Sequence, residues 1–362
     1  MVATPRPAPA AARAPAPAPA GPALLTRFAA QAAGYLRATA PPPTSTTGLM
    51  AAYHMGWADR SGRPQEAAPG KLVRPSLCLW ACQAAGSDPA VALPLAAAVE
   101  WVHNFTLIHD DIQDGDRERR HRETVWSIWG TAQGINAGDA LHAVAFERLL
   151  APGPRAARRL RAGRVLARAV RQVVEGQCLD LAFEGRLDVG PPAYLRMARA
   201  KTGALLGASI EAGALVGGSA AALARRLHRA GELLGLAFQV RDDWLGIWGE
   251  PALTGKSRDC DLGRRKVTYP VVAGYAAVTP PERRRLRDLF RSAAGPEAPE
   301  AAHEAVAEIR ALLADRGADR LAEVAAARFA GQSIDLVAGS GLPAESTDQY
   351  EEFARYVANR SA

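Results

Sequence analysis

Aromatic residues are scarce in this sequence, at 6% of 362 residues, although hydrophobic residues make up 48%. Alanine supplies much of that apolar content, and alanine favours close-packed helices over strands. No segment offers the ~18 uninterrupted apolar residues of a membrane-spanning helix. The charged fraction of 22% excludes a wholly disordered chain. The length allows one large domain or two.

Cysteine is also rare, and the four cysteines are Cys78, Cys82, Cys178 and Cys260. They form no CxxC pair and no Cys/His set with the spacing of a zinc site. The sequence therefore predicts free thiols in a reducing compartment, which favours a cytoplasmic location.

The N-terminal residues lack the apolar core of a signal peptide. Residues 1–22 are nearly all alanine and proline, a composition that excludes a helix and favours an extended, polyproline-like chain. Helical periodicity begins near Leu24. We therefore expect a disordered tail over residues 1–23 and one folded domain over residues 24–362.

Lysine is the rarest charged residue, because only four of the 44 basic residues are lysines and the rest are arginines. The arginine runs at 155–164 and 283–291 are typical of solvated helix faces. Nucleic-acid binding would require stacking aromatic residues among them, and the tryptophans lie elsewhere. The net charge of +7 therefore points to a small anionic substrate held by selected basic residues.

From residue 70 onward, hydrophobic periodicity predicts consecutive helices separated by glycine, proline and serine/aspartate clusters. The predicted helices cover residues 71–86, 89–112, 136–151, 155–184, 192–217, 219–246, 265–277, 280–293, 298–314, 317–336 and 345–359. No alternating strand pattern of useful length is present. The fold class is predicted to be all-α, with a core large enough to enclose an apolar cavity.

The strongest local pattern is the run HDDIQD at residues 109–114, which follows the mostly apolar residues 99–108. On a helix, Asp110 and Asp114 project from one face. These carboxylates repel one another unless cations lie among them, and Mg2+ characteristically bridges carboxylates and substrate phosphates. An acidic helix end on the surface is the alternative, but the apolar residues before the motif favour the mouth of a core helix.

A second acidic pair, Asp242 and Asp243, ends another apolar segment over residues 233–241. Two apolar helices that each end in aspartates can face one another across a cavity. Such a site would hold metals at its rim and apolar side chains below. The two motifs, 132 residues apart, support this interpretation better together than either does alone.

Basic residues accompany both acidic motifs. Lys71 and Arg74 lie three apart at a predicted helix start, where backbone N–H groups also favour an anion. Each basic residue alone is typical of a surface charge, but their placement beside the acidic motifs favours phosphate binding. The other candidates are Arg119, Arg120, Lys201 with the hydroxyl of Thr202, Lys256 and Lys266.

These residues resemble those of the trans-isoprenyl diphosphate synthases, the head-to-tail polyprenyl synthetases. The resemblance runs from about Leu24 to Arg360, in both order and spacing. Its elements are Gly70-Lys71-x-x-Arg74-Pro75, His103, Asp110-Asp111-x-x-Asp114, Arg119-Arg120, Gly138-Asp139, Gly176-Gln177-x-x-Asp180, Lys201-Thr202, Phe238-Gln239-x-x-Asp242-Asp243, Lys256 and Lys266.

The resemblance implies an isoprenoid-synthase-type helical bundle around a central apolar cavity, usually in a homodimer. It also implies that isopentenyl diphosphate condenses with an allylic diphosphate, with three Mg2+ ions between the aspartate motifs. By similarity, the direct metal ligands would be Asp110, Asp114 and Asp242. Asp111 and Asp243 would assist through waters or neighbouring contacts.

The resemblance also assigns the substrate-binding residues. The allylic diphosphate would be held by Arg119, Lys201 and Lys256, with Lys266 supporting the phosphate end. Isopentenyl diphosphate would be held by Lys71, Arg74, His103 and Arg120. The developing carbocation would be faced by Thr202 and Gln239. Cations aimed at the leaving group stabilise the transition state, and an apolar cavity shields the carbocation from water.

Two positions depart from the family pattern. Gly246 stands where the second motif, usually DDxxD, has its last aspartate, and His121 replaces the glycine of Arg-Arg-Gly. We expect weakened rather than absent metal binding. An active prenyltransferase is the favoured interpretation, and a catalytically weak subunit that needs a partner is the alternative.

A class I terpene cyclase is a third alternative, since it shares an aspartate-rich motif and an all-α fold. Lys71, Arg74 and His103 disfavour it, because they imply a second diphosphate site that a cyclase does not need. The sequence also has no evident Asn-x-x-x-Ser/Thr-x-x-x-Glu ligand set near the second motif.

Product length can be argued from helix geometry, since one turn rises ~5.4 Å, close to one isoprene unit. Phe105 lies five residues before Asp110, where an aromatic side chain would close the floor of the tunnel. In the resembling family this pattern accompanies C15 to C20 products. We expect geranylgeranyl diphosphate, with farnesyl diphosphate next; alternatively, Phe105 merely packs against a neighbouring helix.

The tail resembles the disordered extensions of prenyl synthases packaged as cargo in encapsulin shells. A pre-extended polyproline segment loses little entropy on binding, so residues 1–22 could dock to such a shell. The alternative is an extension without a function.

Overall fold

A computed structural model describes residues 21–66, 70–153, 155–250, 260–293 and 299–360. The described part of the chain is mostly helical and contains almost no strand. Its helices are α1 (Ala23–Ala38), α2 (Thr46–His54), α3 (Val73–Ala84), α4 (Leu93–Gln113), α5 (Val125–Trp129), α6 (Thr131–Leu150), α7 (Ala156–Phe183), α8 (Pro191–Ala198), α9 (Ala204–Gly217), α10 (Ala221–Trp248), α11 (Cys260–Gly263), α12 (Tyr269–Ala277), α13 (Pro280–Ser292), α14 (Pro299–Asp315), α15 (Ala318–Ala338) and α16 (Ala344–Asn359).

Three short elements complete this architecture. A 3₁₀ turn, Pro89–Ala92, leads into α4, and a π-helical turn, Arg199–Gly203, joins α8 to α9. Strands β1 (Glu118–Arg119) and β2 (Arg122–Glu123) form an antiparallel hairpin directly after the first aspartate motif.

Proline and small polar residues mark several helix starts. The Ser45 side chain accepts the Gly48 N–H at the start of α2, which satisfies one exposed backbone donor. Thr279 and Glu282 form a reciprocal capping box at the start of α13. Proline occupies the first turn of α4, α8, α12 and α13, where its missing N–H costs nothing.

Helix α9 lies at the centre of the fold, and every residue of it is buried. It contacts α3, α4, α7 and α10. Glycines allow its close contact with α10, because a Cβ at Gly231 would overlap the backbone of Gly207. A Cβ at Gly235 would likewise overlap Gly203 of the π turn that precedes α9. The main hydrophobic core surrounds this contact, and its largest buried side chains include Trp80 and Trp101.

A smaller hydrophobic cluster lies among the helices that follow α10. Ile247 contributes from α10, and Leu286, Ile309 and Leu313 contribute from α13 and α14. This cluster supports α11 and the residues that follow it. Those residues contact the first aspartate motif and Asp116.

The structure confirms the all-α prediction and differs from it in detail. Helix α2, helix α5 and the β1–β2 hairpin were not predicted, because each is too short to show a hydrophobic period. The predicted helix 192–217 contains the π turn, and the predicted helix 265–277 begins only at Tyr269. The predicted tail over residues 1–23 lies largely outside the described residues.

Among the described residues, the segment Pro89–Gln113 is long and apolar enough to cross a membrane by length and composition. Two thirds of its most apolar window, 67%, are buried inside the protein. It comprises α4 and the preceding turn, and its apolar side chains belong to the main core. Cys78, Cys82 and Cys178 are free thiols, as predicted.

Candidate active site

The first aspartate motif lies at the C-terminal end of α4, and Asp114 caps the helix. Asp111 is 1% exposed and accepts a hydrogen bond from Arg119 Nε at 2.7 Å. Burial raises the pKa of Asp111 to about 6, against the opposing effect of Arg119. Burial also raises the pKa of Asp110. The motif is therefore at the edge of the core, as its sequence context predicts.

The β1–β2 hairpin presents the two arginines that follow the motif. Its two-residue turn, Arg120-His121, has positive φ angles of 53° and 59°, as a type I′ turn requires. Helix α2 fixes the hairpin, because the Tyr53 hydroxyl donates to the Glu123 carbonyl and Arg122 donates to the Tyr53 carbonyl, both at 2.9 Å. Arg119 is thereby directed at Asp111.

The second aspartate motif lies near the end of α10, and its two carboxylates have different environments. Asp243 is 5% exposed and accepts hydrogen bonds from the Tyr194 hydroxyl, the Tyr269 N–H and Gln239 Nε2. Burial raises its pKa to about 7, although those three donors oppose the shift. Hydrogen bonds to the Asp243 carboxylate therefore connect α8, α10 and α12.

Asp242 is the more exposed member of the pair and contacts the C-terminal end of the described chain. The Arg360 guanidinium forms an ion pair with Asp242 Oδ1 and lies 4.0 Å above the Phe238 ring. Arg241 Nε donates to the Arg360 carbonyl at 2.7 Å. Contacts with Phe238, Arg241 and Asp242, which lie within about one turn of each other, thus attach residue 360 to α10.

Lys201 and Thr202 lie in the π turn between α8 and α9. Gly176 of α7 makes room for this turn, because a Cβ there would overlap the Lys201 backbone nitrogen. Lys201 Nζ forms an ion pair with Asp180 Oδ2 at 2.5 Å. Burial opposes the charge of Lys201, but Asp180 and Asp110 together raise its pKa. Gly176 therefore allows the Lys201 backbone to approach α7, and Asp180 favours the charged form of the Lys201 side chain.

The residues after α11 connect the second motif to the first. Lys266 Nζ forms an ion pair with Asp114 Oδ2 at 2.5 Å, and Arg264 forms one with Asp116. Burial opposes the Lys266 charge, but Asp114 raises its pKa above the ordinary lysine value. A polar cavity of about 240 Å³ opens here, lined by Gln113, Asp114, Glu184, Gly263, Arg264, Arg265 and Lys266.

A basic cluster lies beside the hairpin and the start of α3. A Cβ at Gly70 would lie 3.1 Å from the Arg120 guanidinium, so the absence of a side chain at Gly70 leaves room for Arg120. Burial lowers the pKa of Arg74, and the charges of Glu100 and Asp242 oppose that shift. Burial, followed by the charges of Arg74 and Arg120, lowers the pKa of His103 well below its usual value. A neutral histidine among arginines is suited to donate a hydrogen bond to an anion.

Lys71 is exposed at the edge of this cluster, and Lys256 lies outside the described residues. Thr202 donates its hydroxyl to Gln239 Oε1 at 2.6 Å, so these two predicted neighbours are in direct contact. The structure therefore brings together the described candidates from α3, α4, the hairpin, the π turn, α10 and the residues after α11.

Phe105 is buried on α4, one to two turns below Asp110. Its ring makes edge-to-face contacts with His109 and with His142 of α6, at centroid distances of 5.8 and 5.0 Å. His142 makes a similar contact with Phe146. The His109 ring packs against α6 at Gly138, because a Cβ at Gly138 would overlap the imidazole. Phe105 thus belongs to an aromatic row that joins α4 and α6.

The carboxylates suit a hard divalent cation in their chemistry. Asp111 Oδ2 and Asp114 Oδ1 are buried acceptors without a hydrogen-bond partner among the described residues. Oxygen ligands of this kind are those that Mg2+ prefers. Within the described ranges, no group of three or more potential ligands is close enough to enclose a metal.

Comparison with known proteins decides the family. Residues 61–309 match the polyprenyl synthetase family. The chain belongs to the polyprenyl synthetase family. It is therefore a prenyltransferase that elongates prenyl chains, and the all-α isoprenoid synthase fold is confirmed.

Three relatives illustrate the similarity. The chain is 42% identical over 314 residues to a (2E,6E)-farnesyl diphosphate synthase of Mycobacterium tuberculosis, covering 86% of both chains. It is 44% identical over 253 residues to a geranylgeranyl diphosphate synthase of the same species, covering 70% of this chain and 72% of the relative. A polyprenyl synthetase structure from Streptomyces coelicolor A3(2) superposes with a TM-score of 0.85 and 40% identity, covering 92% of this chain and 98% of the other.

Several residues of the site were not predicted. Tyr194 and Tyr269 hold Asp243, His142 contacts Phe105, and Arg360 contacts Asp242. None of them stands in a motif with a chemical pattern of its own. Asp180, by contrast, was part of the quoted pattern Gly176-Gln177-x-x-Asp180, although no role was assigned to it.

Proposed function

We propose that this enzyme condenses isopentenyl diphosphate head-to-tail with an allylic prenyl diphosphate and releases geranylgeranyl diphosphate. The observation that carries the proposal is the ion pair between Lys266 and Asp114, which links the segment after the second aspartate motif to the first motif. Both motifs and the basic residues therefore share one polar rim. The synthases named for farnesyl and geranylgeranyl diphosphate among the relatives support the substrate class.

Enzymes of this family depend on Mg2+ in general. We assign three Mg2+ ions to this rim, with Asp110, Asp114 and Asp242 as direct ligands. Asp111 and Asp243 are assigned as positioning residues. Arg119 contacts Oδ1 of Asp111, and hydrogen bonds from Tyr194, Tyr269 and Gln239 occupy both oxygens of Asp243. When bound, Mg2+ neutralises negative charge on the departing diphosphate.

The allylic diphosphate is assigned to Arg119, Lys201, Lys256 and Lys266. The raised pKa values of Lys201 and Lys266 keep both side chains charged at neutral pH. Their present partners, Asp180 and Asp114, hold the ammonium groups at the rim before substrate arrives. Preorganised cations of this kind stabilise the leaving group without reorganisation during the reaction.

Isopentenyl diphosphate is assigned to the basic cluster of Lys71, Arg74, His103 and Arg120. Arg74 Nε is buried without a hydrogen-bond partner among the described residues, so an anion can satisfy it. Lys201 and Lys266 contact Asp180 and Asp114, whereas Arg74 and Arg120 lie within electrostatic range of His103. Cations in these two places match a reaction that binds two diphosphates. This feature favours chain elongation over cyclisation of a single allylic substrate.

Thr202 and Gln239 are assigned to the carbocation that forms when the diphosphate leaves. The Thr202 hydroxyl donates to Gln239 Oε1, and Gln239 Nε2 donates to Asp243 Oδ1 at 2.9 Å. A hydroxyl that donates in this way keeps its oxygen lone pairs available, and they stabilise nearby positive charge.

The product length is proposed to be C20, with C15 as the second candidate. The two Mycobacterium tuberculosis relatives are named for different chain lengths, and their identities of 42% and 44% are similar. The proposal therefore rests on Phe105. Its contacts with His109 and His142 fix the ring on α4 five residues before Asp110, and we assign it to the floor of the tunnel.

We further propose that the enzyme is a homodimer. Helices α6 and α7 contact each other and expose large apolar side chains at both ends of the pair. Those side chains are Ile135 and Leu150 on α6 and Leu160 and Val174 on α7, each at least 45% exposed. A second copy of the chain would cover them.

We propose a cytoplasmic location, consistent with the free thiols. The N-terminal tail is proposed as a docking segment for an encapsulin shell, on the basis of its alanine- and proline-rich composition. Deletion of residues 1–22 should abolish co-purification with a shell and leave turnover intact. Loss of turnover would refute that division of roles.

The purified enzyme tests the proposed function directly. Incubation with Mg2+, isopentenyl diphosphate and each allylic primer in turn should give elongated diphosphates, and chelation of the metal should abolish them. Absence of elongation would favour the catalytically weak subunit suggested by Gly246. Hydrocarbon formed from one allylic substrate alone would favour a cyclase.

A further inference from the structure

Gly246 of α10 leaves a space that another residue fills. A Cβ built on Gly246 would overlap Oδ2 of Asp261. The Asp261 carboxylate therefore occupies the position from which a side chain at residue 246 would extend. Asp261 belongs to α11, 15 residues further along the chain.

Helix geometry relates this space to the second aspartate motif. Asp242 and Gly246 are four residues apart on α10, so they lie on one face, one turn from each other. A carboxylate beside Gly246 is therefore next to the face that carries Asp242.

The segment that carries Asp261 is fixed at its other end. The Lys266 N–H donates to the Asp261 carbonyl at 2.9 Å, and Lys266 Nζ reaches Asp114 of the first motif. Arg264, between them, forms an ion pair with Asp116. The buried side chain of Leu262 anchors the segment in the smaller hydrophobic cluster. Asp261 is thus held between the two motifs.

The charge of Asp261 acts on both motifs. Burial is the main cause of the raised pKa of Asp243, and the charge of Asp261 adds to that shift. Burial opposes the charge of Lys266, but Asp114, then Asp180 and then Asp261 raise its pKa. The carboxylate is therefore within electrostatic range of the second motif and of the lysine that contacts the first.

We infer that Asp261 supplies the carboxylate that residue 246 lacks, and that it helps to hold the divalent cation–diphosphate complex beside Asp242. The inference rests on the proposed function. It makes Gly246 a requirement of the arrangement, because any side chain there would displace Asp261. With glycine at residue 246, the carboxylate at this place comes from Asp261 instead of from residue 246.

Binding of Mg2+–pyrophosphate to the full-length protein, measured by isothermal titration calorimetry, tests the inference without turnover. Asp261→Asn keeps the size of the side chain and removes its charge, and it should weaken binding by about tenfold or more, as loss of a supporting ligand does. Gly246→Ala should weaken binding as well. The exchange variant Gly246→Asp/Asp261→Gly should restore affinity to within about threefold of the wild type.

The control is Asp288→Asn, which removes an exposed carboxylate that pairs with Arg291 on α13. It should bind as the wild type does. Wild-type affinity in the isosteric Asp261→Asn variant would overturn the role of Asp261 and leave the proposed function intact. Failure of the exchange variant to regain affinity, with an unchanged melting temperature, would also overturn it. Absence of Mg2+–pyrophosphate binding in the wild type would contradict the proposed function itself.

Discussion

At the scale of single residues, the site is organised by ion pairs that form before any substrate or metal is bound. Asp111 pairs with Arg119, Asp114 with Lys266 and Asp242 with Arg360. Each pair relieves the repulsion that carboxylates so close together would otherwise suffer. A cation that binds to the paired oxygen atoms at this rim must therefore exchange with a basic side chain of the protein.

Arg360 provides a test of this exchange. Arg360→Gln should increase the affinity of the Asp242 site for Mg2+ by about fivefold, since a unit charge at ~4 Å contributes about 1 kcal/mol in water. Calorimetry of Mg2+ binding in the presence of pyrophosphate gives the comparison. Arg355→Gln, which removes an exposed arginine paired with Glu351 on the same helix, should leave the affinity unchanged. Equal or weaker binding by the Arg360 variant would argue against exchange.

The raised pKa of Asp243 should make the stability of the fold depend on pH. Burial raises its folded-state pKa from 3.8 to about 7, so its protonation stabilises the fold at low pH. That contribution is lost as the pH rises from about 4 to about 7. In metal-free buffer, the free energy of unfolding of the wild type minus that of Asp243→Asn should therefore fall across this range. Parallel curves for the two proteins would contradict the raised pKa.

The Phe105 ring is expected to limit the length of the product. Phe105→Ala should open the tunnel floor and extend the longest product beyond C20, because one removed ring frees roughly the length of one isoprene unit. Phe105→Tyr keeps the ring and should keep the chain length. Chromatography of dephosphorylated products distinguishes the two variants. An unchanged product from Phe105→Ala would show that the ring only packs between α4 and α6.

At the scale of secondary structure, glycines decide how closely the helices of the site approach one another. Gly203 and Gly235 allow contact between the π turn and α10, and Gly176 allows contact between that turn and α7. The π turn widens the helix locally at Lys201 and Thr202, and such turns are frequent at functional sites. The position of Lys201 therefore depends on the absence of side chains nearby.

Gly176→Ala should lower both stability and turnover. Its Cβ would overlap the Lys201 backbone, and overpacking of this kind costs about 1–3 kcal/mol. Gly163→Ala is the matched control on α7, because its Cβ would meet Leu149 at an ordinary contact distance of 3.4 Å. That variant should gain about 1 kcal/mol from helix propensity. Urea unfolding and kcat measure both; equal effects of the two substitutions would contradict the account.

The same scale explains which elements the sequence could predict. The long amphipathic helices and both aspartate motifs were predictable because their patterns are local. Helix α2 and the hairpin were not, because the contacts that hold them, such as Tyr53 with Glu123, join residues 70 positions apart. The Asp242–Arg360 pair, separated by 118 positions, and the overlap of Gly246 with Asp261 likewise have no local pattern.

At the scale of the whole molecule, the fold places two groups of cations around one rim. It also leaves large apolar side chains of α6 and α7 exposed on the surface. The aspartate-bearing helices α4 and α10 are separated by the buried helix α9, which contacts both. The composition that first suggested close-packed helices thus supports a rigid frame for the rim. The exposed apolar residues of α6 and α7 lie on the outside of that frame.

The proposed homodimer follows from this outer surface. Leu150→Glu combined with Leu160→Glu should convert the enzyme to monomers, because both side chains are more than half exposed and charge would oppose their burial. Light scattering after size exclusion gives the mass. Leu321→Glu on α15 is the control and should remain dimeric. A monomeric wild type, or dissociation by the control alone, would contradict this interface.

The chain length of the product from the purified wild-type enzyme tests the central claim most directly. With Mg2+, excess isopentenyl diphosphate and a dimethylallyl, geranyl or farnesyl primer, we expect elongation from each primer to end at the C20 diphosphate. A product that ends at C15 or continues beyond C20 would contradict the proposed floor at Phe105. No elongation from any primer would contradict the proposed function.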